Sequence, residues 1–380
     1  MSEKNRHIVL ASGGTGGHIF PARALAEELI GRNFRVTLLT DSRGETYEDL
    51  FPGVDVVQIR AGSPSVGGLF GKIKAVFELS AGTLQSLFLL RKEKPIAVVG
   101  FGGYPSMPPA AAATLLGVPL VLHEQNAILG RVNNLLAGRA AAIATSFMHT
   151  DANENTALVK MRFTGNPVRK EILSLHGEGY CPATNSEKFN LLVLGGSQGA
   201  TILSDVVPAA IKLLPLELQR RLHVTQQCRK EDLAQVEKMY ETAAITSTLA
   251  TFFDNIPELL ASCHLAIARS GASTMAELAV AGRPAILVPY KFAMDNHQFQ
   301  NAKNSVDRGA AELILQDNFT VETLKEKLLC MLSHPEKLKT MATATAQCAE
   351  VEAAENLADM VEEMAKKRTG GSQMNGKVAA

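Results

Sequence analysis

Residues 7–32 read HIVLASGGTGGHIFPARALAEELIGR, and the fold is decided here. An unbroken apolar run is followed by glycines at 13, 14, 16 and 17, then by apolar positions at helical spacing. Continuous apolar runs mark strands buried on both faces of a parallel sheet. Glycine clusters mark turns where backbone must come close to something else. The same order returns at FNLLVLGGSQGATI, residues 189–202, so one strand–turn–helix unit opens each half of the chain.

Working outward, further apolar runs fall at 35–40, 54–59, 96–101, 120–124 and 141–146, with helical patterns between them. A polar stretch over 151–188 interrupts the series, which resumes with RLHVTQQ, HLAIARSGAS, AILVPY and AELILQ. Alternating strand and helix periods predict βαβ units and doubly wound sheets. The expected fold is α/β, with two Rossmann-like domains separated by a cleft. The first spans 1–165 and the second 166–349; a helix over about 350–366 packs back on the first, and 367–380 forms a tail without structure.

Composition narrows the function. Thirty-eight basic and thirty-eight acidic side chains cancel in 380 residues. No global field therefore draws the chain to nucleic acid, and no nucleic-acid partner is expected. Five scattered cysteines without a C-x-x-C pair fit reduced thiols in a cytosol. The N-terminus, with Lys4, Arg6 and His7 ahead of a short apolar run, does not resemble a secretory signal. No window of about eighteen uninterrupted apolar residues is present, so any membrane contact is expected to be peripheral. The segment 67–94 mixes Leu69, Phe70, Val76, Phe77, Leu87 and Phe88 with Lys72, Lys74, Arg91, Lys92 and Lys94. Most of those apolar residues are expected to face the core; the alternative is a basic amphipathic surface that lies on an anionic membrane.

The first glycine loop suits a phosphate or a developing oxyanion at a helix N-terminus. It lacks the G-K-[ST] of a Walker loop, and Ile19 stands where a dinucleotide fingerprint needs Gly or Ala. Asp41, after the second strand, keeps a dinucleotide-dependent oxidoreductase open. His18 lies at the mouth of the loop, where open α/β sheets bind ligands. It is either a structural histidine or a proton acceptor near neutral pH. In the second loop, Gly195-x-Ser197-x-Gly199 has the form of a hydrolase elbow, with Asp254 and His297 following as acid and base. A serine that hydrogen-bonds phosphate explains the same residue.

The stretch 266–289 places a small-residue turn, Arg269–Ser273, before a helix. Such a helix start can hold a diphosphate, with Ser273 and Thr274 adding hydroxyls. Glu277, one turn further, is either a helix-dipole carboxylate or a ligand for sugar hydroxyls. Asp295, Asn296, His297, Gln298 and Gln300 follow another strand end, as do His123, Glu124, Gln125 and Asn126 in the first half. With no D-x-D, H-E-x-x-H or cysteine pair, neither metal ligation nor a cofactor is expected.

Seven motifs then occur in order: ASGGTGGHIFPA, GGYPS, LHEQNA, GNPVR, GGSQGA, RSGASTMAELA and DNHQ. Together they resemble the bacterial UDP-N-acetylglucosamine–N-acetylmuramyl-(pentapeptide) pyrophosphoryl-undecaprenol N-acetylglucosamine transferases, which have the glycosyltransferase-B fold. The resemblance implies an inverting, metal-independent transfer of GlcNAc from UDP-GlcNAc to the 4-hydroxyl of the muramyl sugar of lipid I, giving lipid II. It implies a donor site in the second half: Ala272, Ser273, Thr274, Met275, Ala276 and Glu277 around diphosphate and ribose, Phe253 at uracil, and Gln298 at GlcNAc. Ser197 and Arg169 lie near the donor, and Thr15, Gly16, Gly17 and Asn126 reach the sugar from the first half. His18 is the implied base and Glu124 its competitor. Where some members carry two adjacent glutamines, this chain has His297-Gln298. The family sits peripherally on the cytoplasmic face of the inner membrane, which favours the membrane reading of 67–94. A UDP-GlcNAc 2-epimerase is the alternative of the same fold.

Overall fold

The computed structural model describes residues 6–42, 49–62, 68–152, 161–184, 187–197, 199–243 and 245–375. It divides into two compact units, residues 1–169 with 352–380, and residues 170–351.

In the first unit the chain runs β1 (His7–Ala11), α1 (Gly16–Gly31), β2 (Arg35–Thr40), β3 (Asp55–Gln58), α2 (Gly68–Glu93), β4 (Ala97–Gly100), α3 (Gly103–Leu115), β5 (Leu120–Glu124), α4 (Arg131–Ala137), β6 (Ala142–Thr145) and β7 (Met161–Phe163). All neighbouring strands pair parallel, in the order β3-β2-β1-β4-β5-β6-β7. Alternation along each strand gives the sheet two buried faces. Ile8, Leu10, Val36, Leu38 and Val99 pack in one cluster, while Val9, Leu39, Val98, Leu120 and Leu122 pack in another. Helices cover both faces, which is why the strands read as continuous apolar runs.

The second unit runs α5 (Lys170–Leu173), β8 (Phe189–Leu194), α6 (Thr201–Lys212), α7 (Leu216–Gln219), β9 (Leu222–Gln227), α8 (Leu233–Thr242), β10 (Thr246–Ala250), α9 (Ile256–Ser262), β11 (Leu265–Ala268), α10 (Ala272–Ala281), β12 (Ala285–Leu287), α11 (His297–Val306), β13 (Ala311–Leu313), α12 (Val321–Ser333) and α13 (Pro335–Ala346). Its parallel sheet has the order β10-β9-β8-β11-β12-β13. Counted within each unit, the two sheets share the order 3-2-1-4-5-6, and each reverses direction of winding beside its first strand.

The last helix, α14 (Ala353–Asn375), belongs to the first unit. Leu357, Ala358, Met360, Val361, Met364 and Ala365 enter the cluster formed by α1 and one face of the sheet. Two arginines hold its polar side. Arg162 donates to both carboxylate oxygens of Glu363, at 2.5 and 2.9 Å. Arg32 pairs with Asp359 and, at 3.1 Å, with Glu362. The composition of 367–380 suggests an unstructured tail, but the helix continues through Asn375, and 376–380 lie outside the described residues.

Helix α2 differs from expectation. Val76, Phe77 and Phe88 are 62%, 66% and 70% exposed, and Ile73 and Leu84 join them, whereas Leu87 packs inward. The core therefore takes fewer apolar residues of this segment than the sequence suggests. Gly67 and the side chains of Leu69 and Phe70 lie outside the described residues. Within Gly71–Glu93 an apolar window reaches a mean hydropathy of 1.3, so by length and composition this helix is long and apolar enough to cross a membrane. Its other face is docked on the unit: Ala75 and Leu90 are buried, and a Cβ at Gly82 would come within 1.9 Å of the Arg60 carbonyl oxygen.

Candidate active site

In the first unit, β1 and β4 are neighbours, and the turns after them lie together at the carboxyl edge of the sheet. Open α/β sheets bind ligands at such a reversal point. The turn after β1 uses its glycines for different ends. A Cβ at Gly13 would come 2.8 Å from Pro105 Cβ in α3, so that glycine permits close packing of loop on helix. Gly14 takes φ 93°, a left-handed conformation that favours glycine. Thr15 then caps α1 through its backbone, its side chain making no cap bond, and the first turn holds no acidic residue. The helix start keeps its partial positive charge.

His18 lies in the first turn of α1, half-buried, with the Gly102–Gly103 turn beside its ring. Its Nδ1 sits 3.0 Å from Gln125 Oε1. Gln125 Nε2 donates to the Phe101 carbonyl at 3.0 Å and to His123 Nδ1 at 2.9 Å. His123 Nε2 in turn faces the Gly165 carbonyl at 3.3 Å. His123 is fully buried, and that burial holds its pKa down at about 4, so it is a neutral imidazole.

Glu124 has a different setting. It is 2% exposed. Its Oε1 accepts from Asn126 N and Nδ2 at 3.0 and 3.2 Å, and its Oε2 accepts from Gly130 N and Asn133 Nδ2, both at 2.8 Å. Four donors fill a carboxylate's acceptor positions. Asn126 is thereby tied to Glu124, and the loop after β5 is built around this carboxylate. Arg169 belongs to the first unit, with its guanidinium 4.4 Å from the Phe20 ring, and Phe20 lies against Gly16. Thr15, Gly16, Gly17, His18, Glu124, Asn126 and Arg169 therefore all fall in one unit.

In the second unit, β8 and β11 end side by side, with Leu194 paired to Ala268. A Cβ at Gly195 would meet Ala200 N at 2.6 Å, so only glycine fits where this loop doubles back. Ser197 lies in that loop, and Gln198 of the GGSQGA motif is outside the described residues. After β11, Arg269 is buried, donates to the Val288 and Pro289 carbonyls, and lies over the Tyr290 ring. α10 starts at Ala272 with Gly271 as N-cap and no acidic residue in its first turn. A Cβ at Gly271 would meet nothing within 4 Å, so the approach to this helix start is open.

The DNHQ segment reaches the same place. Ser270 Oγ donates to the Gln298 carbonyl at 2.8 Å, and Asn301 Nδ2 donates to the Ser270 carbonyl at 3.1 Å. Gln298 Oε1 accepts from Tyr290 N at 2.9 Å. Ala272–Glu277 and Gln298 are thus neighbours. Phe253 follows β10, at the edge of the sheet. The residues of the hydrolase reading come from three separate turns: Ser197 follows β8, while Asp254 follows β10 and His297 follows β12, two strand positions to either side of β8. Among the described residues, no three His, Cys, Asp or Glu side chains gather as metal ligands.

Sequence reasoning placed His123 and Gln125 among the strand-end polar residues and Arg269 in the turn before α10, but gave none of the three a partner. The available signal was a histidine inside the apolar run LVLHE, where a buried polar side chain needs a partner.

Fold and site define a class: a two-unit, doubly wound α/β protein whose glycine turns and helix starts suit phosphorylated ligands. The N-terminal domain of glycosyltransferase family 28 matches residues 8–145, and the C-terminal domain of that family matches residues 190–360. Similar curated proteins carry the name UDP-N-acetylglucosamine–N-acetylmuramyl-(pentapeptide) pyrophosphoryl-undecaprenol N-acetylglucosamine transferase. That of Paramagnetospirillum magneticum is 46% identical over 95% of this chain and 97% of its own. That of Zymomonas mobilis is 46% identical over 97% and 94%. The crystal structure of Acinetobacter baumannii MurG superposes with a TM-score of 0.74 at 28% identity, covering 94% of this chain and 99% of that one. The chain belongs to the family of these transferases, glycosyltransferase family 28. A UDP-GlcNAc 2-epimerase from Neisseria meningitidis, bound to UDP-GlcNAc, shares the fold with a TM-score of 0.63 at 12% identity.

Proposed function

We propose that the protein transfers GlcNAc from UDP-GlcNAc to the 4-hydroxyl of the muramyl sugar of lipid I, forming lipid II with inversion. The observation that carries this reading is the near-full-length match, at 46% identity, to proteins bearing that transferase name. The geometry agrees with the division of roles. The second unit takes the donor, with the diphosphate at the start of α10, Glu277 on ribose, Phe253 on uracil, Gln298 on GlcNAc and Ser197 in the adjoining loop. The first unit takes the acceptor at the Thr15–Gly17 loop, with Asn126; Arg169, which the resemblance puts near the donor, is held in this same unit over Phe20.

In a single displacement, the acceptor oxygen attacks the anomeric carbon as the bond to the UDP β-phosphate breaks. The acceptor proton passes to His18 Nε2, and the leaving diphosphate's charge rests against the helix start. Glu124 does not serve as base: its oxygens are already held by four donors. It builds the loop that carries Asn126.

On this reading the enzyme lies through helix α2 on an anionic membrane surface, the cytoplasmic face of the inner membrane; the exposed apolar side chains of that helix support it. Incubating the purified protein with radiolabelled UDP-GlcNAc and a lipid I analogue tests the reaction. Label is expected in the lipid; a protein that instead converts the donor without any acceptor is an epimerase, and the reading fails.

A further inference from the structure

Resting on His18 as the base, we infer that Gln125 and His123 are positioning residues that fix the imidazole of His18 as the Nδ1–H tautomer and leave Nε2 to take the proton. The amide orientation of Gln125 is set by the Phe101 carbonyl, which only accepts. The reverse orientation would place two oxygens 3.0 Å apart. The Gln125 oxygen therefore faces His18 Nδ1, which must donate to it. The second Gln125 hydrogen points to His123 Nδ1, which accepts, so His123 Nε2 carries the hydrogen directed to Gly165.

The chain runs from His18 to Gln125 and from Gln125 to His123, with the Gln125 amide also 3.3 Å from the His123 carbonyl. It ends at His123 Nε2, which faces the Gly165 carbonyl at 3.3 Å and Ser146 Oγ at 3.5 Å. Gln125 is 2% exposed, so water does not replace it as the partner. His123 is buried and neutral, and a neutral imidazole is the form that can accept from the amide. An aspartate in this position would hold a histidine and also stabilise its protonated form. An amide holds the tautomer without adding that charge. The titratable neighbours are few: His123 faces Gln125, while the Glu124 carboxylate is turned to Asn126, Gly130 and Asn133.

Nitrogen NMR of the ¹⁵N-histidine-labelled protein reads the tautomer directly, without activity. The expected spectrum has His18 protonated at Nδ1 and bare at Nε2; an Nε2–H form or an even mixture overturns the inference. In Gln125→Met, which keeps the shape and removes the acceptor, the signal should become a mixture. kcat should fall about 100-fold, the scale of a positioned general base, with KM for UDP-GlcNAc within twofold. Gln125→Glu sets a carboxylate oxygen against the Phe101 carbonyl oxygen and removes the donor to His123 Nδ1, so it should do no better than Gln125→Met. A Gln125→Met with wild-type kcat and an unchanged His18 tautomer sinks the proposal. An unchanged kcat in His18→Ala would remove His18 as base, whereas the spectrum decides the tautomer independently.

Discussion

At the scale of single residues, the two candidates for the base are separated by what surrounds them. His18 has one nitrogen engaged and the other open, while Glu124 has no unengaged oxygen. His18→Ala is therefore expected to lower kcat by about 100- to 10,000-fold with little change in donor KM. Steady-state kinetics with a lipid I analogue checks it. Glu124→Gln turns an amide NH2 toward donors, and should destabilise the fold by about 1–3 kcal/mol without moving the pH dependence of kcat. Thermal unfolding and the pH–rate profile read the two parts separately. His123 gives a stability test. Its folded pKa of about 4 lies below the ordinary 6.5, so the unfolded chain takes up the proton first. Stability is then full above pH 6.5 and falls as pH drops toward 4. Burial pushes His7 in the same direction, so part of the slope belongs to it. In urea titrations, His123→Asn should flatten the slope between pH 6.5 and 4.5; an unchanged slope would mean that His123 is not the group.

At the scale of elements, every central strand was legible in the sequence, and two of the four edge strands were not. The edge strands β3 and β13 were read at 54–59 and in AELILQ, where apolar residues mark them. β7 and β10, the other two edges, went unseen. Thr246–Ala250 is half-exposed along its length, so tertiary pairing rather than hydrophobic pattern makes it a strand. Helix α14 was legible as a helix but not in its extent, because Gly and Ser after Lys367 read as a break. The site was legible as residue types at strand ends. What the sequence did not carry was which nitrogen faces which oxygen. α14 also yields a prediction. Leu357 is fully buried in the first unit's core, and Leu357→Ala should cost about 2–5 kcal/mol. Its polar clamp has a pH window: Arg162 and Lys367 hold the Glu363 carboxyl at about 2, below its ordinary 4.5. Its contribution is complete above pH 4.5 and is lost as pH falls toward 2, so the protection of α14 amides relative to their intrinsic exchange rates should be constant from pH 7 to 5.

At the scale of the whole molecule, one strand order is used twice, and the candidate ligand loops fall at the same point of each sheet. The first unit differs by carrying an exposed apolar helix. On α2, Ile73, Phe77, Leu84 and Phe88 follow one another at helical spacing, with Val76 adjacent, so they form a stripe. Lys72, Lys74, Arg91 and Lys92 lie on the same helix. A core helix would bury this stripe, and a spanning helix would not keep its opposite face docked on the unit through Ala75, Ser86 and Leu90. A helix lying in the plane of an anionic surface satisfies both faces. Each phenylalanine inserted is worth about 1.5–3 kcal/mol, and each basic residue near the surface about 1 kcal/mol. Phe88→Glu should therefore weaken binding to vesicles containing anionic lipid by at least about tenfold. Because the apolar and charged contributions differ in their response to salt, raising the ionic strength should release much of the wild type but leave a residual that Phe88→Glu lacks. Vesicle co-sedimentation at two salt concentrations separates them. If wild type and Phe88→Glu sediment equally in both, the stripe does not meet the membrane. In solution the same variant should transfer GlcNAc to a short-chain acceptor at the wild-type rate, because Phe88 is 70% exposed on α2 and has no part in the site around His18.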